Sequence, residues 1–231
     1  MRQLALDIRR AGHAVFASFY PGPNAVAVAS VQRAAAGDGP PIIWLHGPPE
    51  VGKSHLLQAG VGAVHERGAA TAYLPLAELH GMSAALIDGM EALDLVALDD
   101  VEAIAGIEAW ESALFRLHEA LLACGGRLVV GSALPPAQAG IVLPDLRSRL
   151  CAAAVFRLEA LSDAEHLAAL RLRAEWHGFS LPEETARYLL TRVDRGSASL
   201  FGLLDRLDQA ALAAHKRLTV PFVRSVLEAD G

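Results

Sequence analysis

The sequence predicts an α/β fold: a three-layer α/β/α unit around a parallel five-stranded sheet, followed by a small all-helical unit. Three observations predict it. From about residue 42 to 157, β-branched and aliphatic runs alternate with helical stretches, the pattern of a parallel sheet covered by helices. The first run leads into Gly47-Pro48-Pro49-Glu50-Val51-Gly52-Lys53-Ser54, a G-x-x-x-x-G-K-S phosphate-binding loop that opens a helix. After Leu158 only helical periods remain, so the unit boundary falls near Leu161.

Residues 1–12 carry little helical or core pattern and read as a flexible tail; 13–160 forms the α/β unit and 161–231 the helical one. Strands are expected at Ile42–Leu45, Thr71–Leu74, Leu95–Leu98, Leu128–Gly131 and Ala153–Leu158. Helices between them are expected at about 53–66, 77–90, 108–123 and 136–140. In the second unit the periods run over about 162–177, 182–194, 198–215 and 219–229. Ser162-Asp163-Ala164-Glu165 is a capping box for the first of these. Pro182, and Thr219 ahead of Pro221, mark the starts of the second and the last. Leu203, Leu204 and Leu207 form an apolar stripe for helix packing.

Composition narrows the function. With 53% hydrophobic and 20% charged residues in 231, a packed core is expected rather than disorder. The net charge of −6 and the lack of a basic run argue against direct sequence-specific DNA binding. No signal-peptide hydrophobic region and no run of 18 apolar residues is present, so a soluble cytoplasmic protein without membrane contact is expected. Cys124 and Cys151 lie among apolar or small residues and are expected to be buried free thiols. The nine histidines show no metal-ligand pairing, and His46 reads as a strand-end residue. Trp44, Trp110 and Trp176 read as core or interface aromatics.

The phosphate loop carries the clearest chemistry. Gly47 and Gly52 allow backbone angles that turn successive N–H groups into one anion site, and the helix starting near Lys53 adds its positive end. Lys53 is placed to reach β- and γ-phosphates, and Ser54 to offer its hydroxyl to Mg²⁺. A nucleoside di- or triphosphate is the expected ligand. Leu93-Asp94-Leu95-Val96-Ala97-Leu98-Asp99-Asp100 reads as a buried strand with two carboxylates at its tip. There Asp99 would hold Mg²⁺ and Asp100 could orient an attacking water; the plainer alternative is a strand ending in a solvated acidic turn.

These motifs, with a helical unit after the sheet, resemble the AAA+ ATPases, and within them the initiator clade of DnaA and its short Hda-type relatives. Phe16-Ala17-Ser18-Phe19-Tyr20-Pro21-Gly22-Pro23-Asn24 is similar to the segment that wraps the adenine in that family, which assigns Phe19, Tyr20 and Asn24 to the nucleotide. Leu98-Asp99-Asp100-Val101-Glu102 resembles its Walker B strand, and Gly131-Ser132-Ala133-Leu134-Pro135-Pro136 its sensor 1 loop. Leu143-Pro144-Asp145-Leu146-Arg147-Ser148-Arg149-Leu150 resembles the segment ending in an arginine finger. The resemblance makes Arg149 a finger acting in trans on a neighbour's nucleotide; without it the plainer reading is a solvated arginine like Arg147. Gln3-Leu4-Ala5-Leu6-Asp7-Ile8 is similar to peptides that dock on the bacterial DNA polymerase III beta sliding clamp. Leu4, Leu6 and Ile8 share one side of an extended strand beside Gln3; the alternative is a terminal strand packed on the protein's own core.

Two positions depart from the family. Sensor 1 falls on Ala133, leaving Ser132 as the nearest polar group, and sensor 2 falls on Ala198, with Arg195 three residues earlier as a substitute. Such a site is expected to hold ADP or ATP with Mg²⁺ and to be at most a weak ATPase. The resemblance implies a negative regulator of replication initiation that docks on the clamp and stimulates ATP hydrolysis by DnaA through Arg149. The alternatives are an autonomous ATP-dependent initiator or helicase loader, or a nucleotide-binding scaffold. A full initiator continues past the lid into a helix-turn-helix domain, so a chain ending at Gly231 is expected to lack one. Homo-oligomer formation is left open.

Overall fold

The apolar runs form strands β1 (Ile42–His46), β2 (Thr71–Pro75), β3 (Leu95–Asp99), β4 (Arg127–Ser132) and β5 (Ala154–Arg157) in the computed structural model. The model describes residues 14–192, 197–214 and 218–229; Gln3, Leu4, Leu6, Ile8 and Arg195 lie outside them. The strands pair in parallel in the order β2-β3-β4-β1-β5. Every residue of β3 is buried, as expected of a strand covered on both faces. By contrast β5, at an edge, has exposed Val155 and Arg157 alternating with half-covered neighbours. The register sets Leu98 beside Val130 and His46 beside Ser132, so the C-terminal ends of β3, β4 and β1 lie along one rim of the sheet.

The helices are α1 (Ala25–Ala35), α2 (Lys53–Glu66), α3 (Leu76–Leu79), α4 (Glu108–Ala123) and α5 (Pro144–Cys151), then α6 (Asp163–Trp176), α7 (Glu183–Arg192), α8 (Ser197–Ala214) and α9 (Val220–Ala229). The single helix expected over 77–90 is instead the one turn of α3 followed by 3₁₀ turns at Ala84–Ile87 and Met90–Ala92. Two local signals break it: Ser83 caps the first 3₁₀ turn through the Ala85 N–H, and Gly89 adopts the left-handed region at φ 87°. The helix expected at 136–140 is a 3₁₀ turn, Pro136–Gln138. Neither α1 nor α5 was anticipated. The first is alanine-rich, and the second is short and buries only Leu146 and Leu150.

The chain divides into two compact units. The first comprises Pro23–Pro48 and Lys53–Glu159, joined by the described residues up to Phe16. Its core is built on Trp44, Leu98, Val130, Trp110 and Leu114. Both indoles find acceptors, Trp44 Nε1 donating to Leu134 O (2.9 Å) and Trp110 Nε1 to His80 O (3.1 Å). The second unit comprises Ala17–Gly22, Pro49–Gly52 and the chain from Ala160 onward. There Leu170, Leu189, Leu204, Leu207 and Val223 are fully buried, and both halves of the Ser162–Glu165 capping box form. Arg173 makes a two-point ion pair with Asp205 and lies over the Phe201 ring.

One side-chain expectation needs correction. Cys124 and Cys151 are free thiols, but both are exposed, because each ends or follows a helix on its solvent side. Of the three tryptophans, Trp44 and Trp110 are in the core, while Trp176, at the end of α6, is 38% exposed. Among the described residues no helix is long and apolar enough to cross a membrane.

Candidate nucleotide site and arginine helix

The chain leaves β1 through a backbone that most residues resist. Gly47 has φ 152°, and a Cβ there would lie 2.6 Å from the Leu158 carbonyl oxygen. Glu50 (φ 63°) and Gly52 (φ 99°) take left-handed angles, the alternation with which backbone N–H groups line an anion-binding concavity. At the first turn of α2, Lys53 is only 8% exposed, and its Nζ donates to Gly47 O (2.8 Å) and Pro48 O (2.9 Å). Ser54 beside it is exposed. The Phe19 ring lies against Gly52, where a Cβ would sit 2.6 Å from its Cε2 atom, and Tyr20 lies against Gly22. Asn24 is buried and bonds the Glu159 backbone at both ends of its amide: Nδ2 donates to the carbonyl (2.9 Å) and Oδ1 accepts the N–H (2.8 Å).

At the tip of β3, Asp99 is 2% exposed; its Oδ2 accepts the Tyr73 hydroxyl proton (2.7 Å) and its Oδ1 accepts the Asp100 N–H (3.2 Å). Gly131 on the neighbouring strand makes room for this carboxylate, since a Cβ there would lie 2.7 Å from Oδ1. Burial and the Asp99 charge push the Tyr73 hydroxyl far above its usual range, so it stays a donor. Asp100 adopts a left-handed backbone at φ 53°. Its carboxyl is raised above its ordinary value by burial, then by the charges of Asp99 and Glu102, against the opposing pull of Lys53. Burial, Arg157 and Lys53 lower His46, which keeps that imidazole neutral at pH 7.

Ser132 is fully buried and its Oγ accepts the Leu134 N–H (3.2 Å) within its own turn. The Ala133 N–H is donated to Glu102 Oε1 (2.9 Å), while Glu102 Oε2 is buried without a hydrogen-bond partner among the described residues. Ala198 lies in the first turn of α8. Sequence reasoning gave no role to Tyr73 or Glu102. Tyr73 carries no local motif, and Glu102 is signalled only by its closeness to the two aspartates.

Arg149 stands in the last turn of α5, exposed, with its Nε 3.0 Å from Glu119 Oε1. The same oxygen lies 3.1 Å from His118 Nδ1. Arg147 is exposed as well. The approach to α5 is held from α4: Glu111, 2% exposed, accepts the N–H groups of Gly106 (2.7 Å), Val142 (3.0 and 3.1 Å to its two oxygens) and Leu143 (2.6 Å). Burial opposes its charge, but the N–H groups of Val142, Gly106 and Leu143 prevail and hold the carboxyl below its ordinary value. Glu111 and Glu119 were not singled out from the sequence, because their partners lie some 30 residues away.

Residues 163–227 match the family model of the Hda lid domain. In fold the chain is similar to domain III of the Thermotoga maritima replication initiation protein DnaA, at 21% identity and TM-score 0.78, over 94% of this chain and 97% of that one. It is similar to AMPPCP-bound DnaA from Aquifex aeolicus at 22% identity and TM-score 0.70, over 85% of this chain and 65% of that one. The Thermotoga maritima RuvB Holliday junction branch migration motor matches at 16% identity and TM-score 0.61, over 90% of this chain and 67% of that one. The parallel five-stranded sheet with its covering helices is the AAA+ fold.

Proposed function

Taking the chain as an AAA+ protein related to Hda through its lid and to DnaA through its fold, we propose that it is a nucleotide-bound negative regulator of chromosomal replication initiation. In this reading it docks on the DNA polymerase sliding clamp and stimulates ATP hydrolysis by DnaA, with Arg149 as a finger reaching the partner's nucleotide. The observation that carries it is Arg149 itself, an exposed guanidinium at the outer end of a short helix whose approach is tightly held. A guanidinium keeps its charge and its fork of donors, which suits charge developing on a γ-phosphate.

The protein's own site is the regulatory half. Gly47 to Ser54 would bind the phosphates of ADP or ATP, Lys53 exchanging the Gly47 and Pro48 carbonyls for phosphate oxygens. Phe19, Tyr20 and Asn24 are assigned to the adenine side and Arg195 to a sensor 2 role. An adenine nucleotide is supported by the fold's likeness to AMPPCP-bound DnaA. Ser54 and Asp99 fit Mg²⁺, a hydroxyl and a buried carboxylate being its usual ligands. Bound there, Mg²⁺ neutralises phosphate charge. Asp100 would orient water, but with Ala133 and Ala198 at the sensor positions, turnover in this site is weak. Gln3, Leu4, Leu6 and Ile8 in the tail 1–12 form the clamp-docking strand, and the protein acts in the cytoplasm.

The deciding experiment measures ATP hydrolysis by DnaA with clamp-loaded DNA, with and without this protein. Stimulation by the wild type, abolished in Arg149→Ala and in a deletion of residues 3–8, is the expected result. Undiminished stimulation by Arg149→Ala overturns the finger. Clamp and nucleotide binding without any stimulation by the wild type makes the protein a scaffold instead.

A further inference from the structure

One carboxylate ties the finger helix to the strand that bears the aspartates. After β3 the chain passes Val101–Ile104 and turns at Gly106; α4 then begins at Glu108, and α5 enters through Ile141–Leu143. Glu111 gathers N–H groups from both passages: Gly106 from the first, Val142 and Leu143 from the second. Leu143 is the residue immediately before α5, and Pro144 opens the helix with no N–H to give. The entry of α5 is therefore fixed by an acceptor on α4, and its far end by the Arg149–Glu119 pair on the same helix.

We infer that Glu111 is a positioning residue for Arg149, setting the direction of α5 by clamping Val142 and Leu143 to the turn at Gly106. The inference rests on the finger reading above and says how the finger is aimed. A helix of eight residues with two buried leucines has little packing of its own to fix its angle. The charge-assisted hydrogen bonds from these three N–H groups supply what the packing lacks. An error of 1 Å at a catalytic group costs about 100-fold in rate, so loosening the entry acts on the chemistry and not on docking.

Glu111→Gln tests this, since it keeps the shape but turns an N–H₂ toward the donors. The expected result is a maximal DnaA hydrolysis rate about tenfold or more below wild type. The concentration giving half-maximal stimulation and the stoichiometry of bound ADP should stay unchanged, which separates aiming from loss of folded protein. Amide hydrogen exchange at Val142 and Leu143 should speed up while that of α6 stays slow. With Arg149→Ala in the background, Glu111→Gln should cost nothing further. Wild-type stimulation by Glu111→Gln overturns the inference. A wild type that fails to stimulate overturns the function reading. In that case unchanged exchange at Val142 and Leu143 in Glu111→Gln overturns the clamp as well, and accelerated exchange sustains it.

Discussion

Asp100 keeps its carboxyl partly out of water beside two other acids, Asp99 and Glu102, in a left-handed backbone that an aspartate rarely adopts. Its folded-state value is raised, so between the ordinary 3.8 and that raised value the folded protein holds more of this proton than the unfolded chain. Stability from this group is thus present at low pH and lost as pH rises through the window. Asp100→Asn should therefore be more stable than wild type to urea at pH 7, with the gain shrinking as pH falls toward 3.8. Two glutamates eight residues apart on α4 make the opposite contrast. Glu119→Gln removes an exposed ion pair and should change stability by under about 0.5 kcal/mol. Glu111→Gln disturbs a buried carboxylate with three backbone donors and should cost about 1–3 kcal/mol in the same measurement.

At the scale of elements, the buried strands and the longer helices were legible locally. β1, β3 and β4 are continuous apolar runs because both faces are covered. α2 starts directly after the loop glycine Gly52, and α6 at the Ser162 capping box. α1 escaped notice because its buried face is largely alanine, and α5 because eight residues with two leucines make no period. The break in 77–90 was present as Gly81 and Gly89, but the apolar spacing outweighed it in the reading. Where a terminal signal is complete it also has a measurable worth. Ser162→Ala removes the acceptor for the Glu165 N–H and one half of the capping box. It should destabilise the chain by about 1 kcal/mol in thermal or urea unfolding.

For the molecule as a whole, the phosphate loop was legible because its chemistry lies within eight consecutive residues, and the acidic strand tip because it ends a buried run. Tyr73 on Asp99, Glu102 on Ala133 and Glu111 on Val142 were not, since each joins segments that only the tertiary fold brings together. The nucleotide should report on that assembly. ADP with Mg²⁺ at 100 times its Kd should stabilise the chain by about 2.7 kcal/mol, seen as a rise in melting temperature, and Lys53→Ala should abolish the rise.

The position of β4 has a consequence for shortened chains. The loop ends β1 and the aspartates end β3, yet the two strands do not touch; β4 lies between them. A chain cut at Gly126 already carries Lys53, Ser54, Asp99 and Asp100, but lacks the strand that joins β1 to β3, which lie about 9.5 Å apart across two strand spacings. Only with Arg127–Ser132 in place is the sheet continuous from the strand that ends in the loop to the strand that ends in the aspartates.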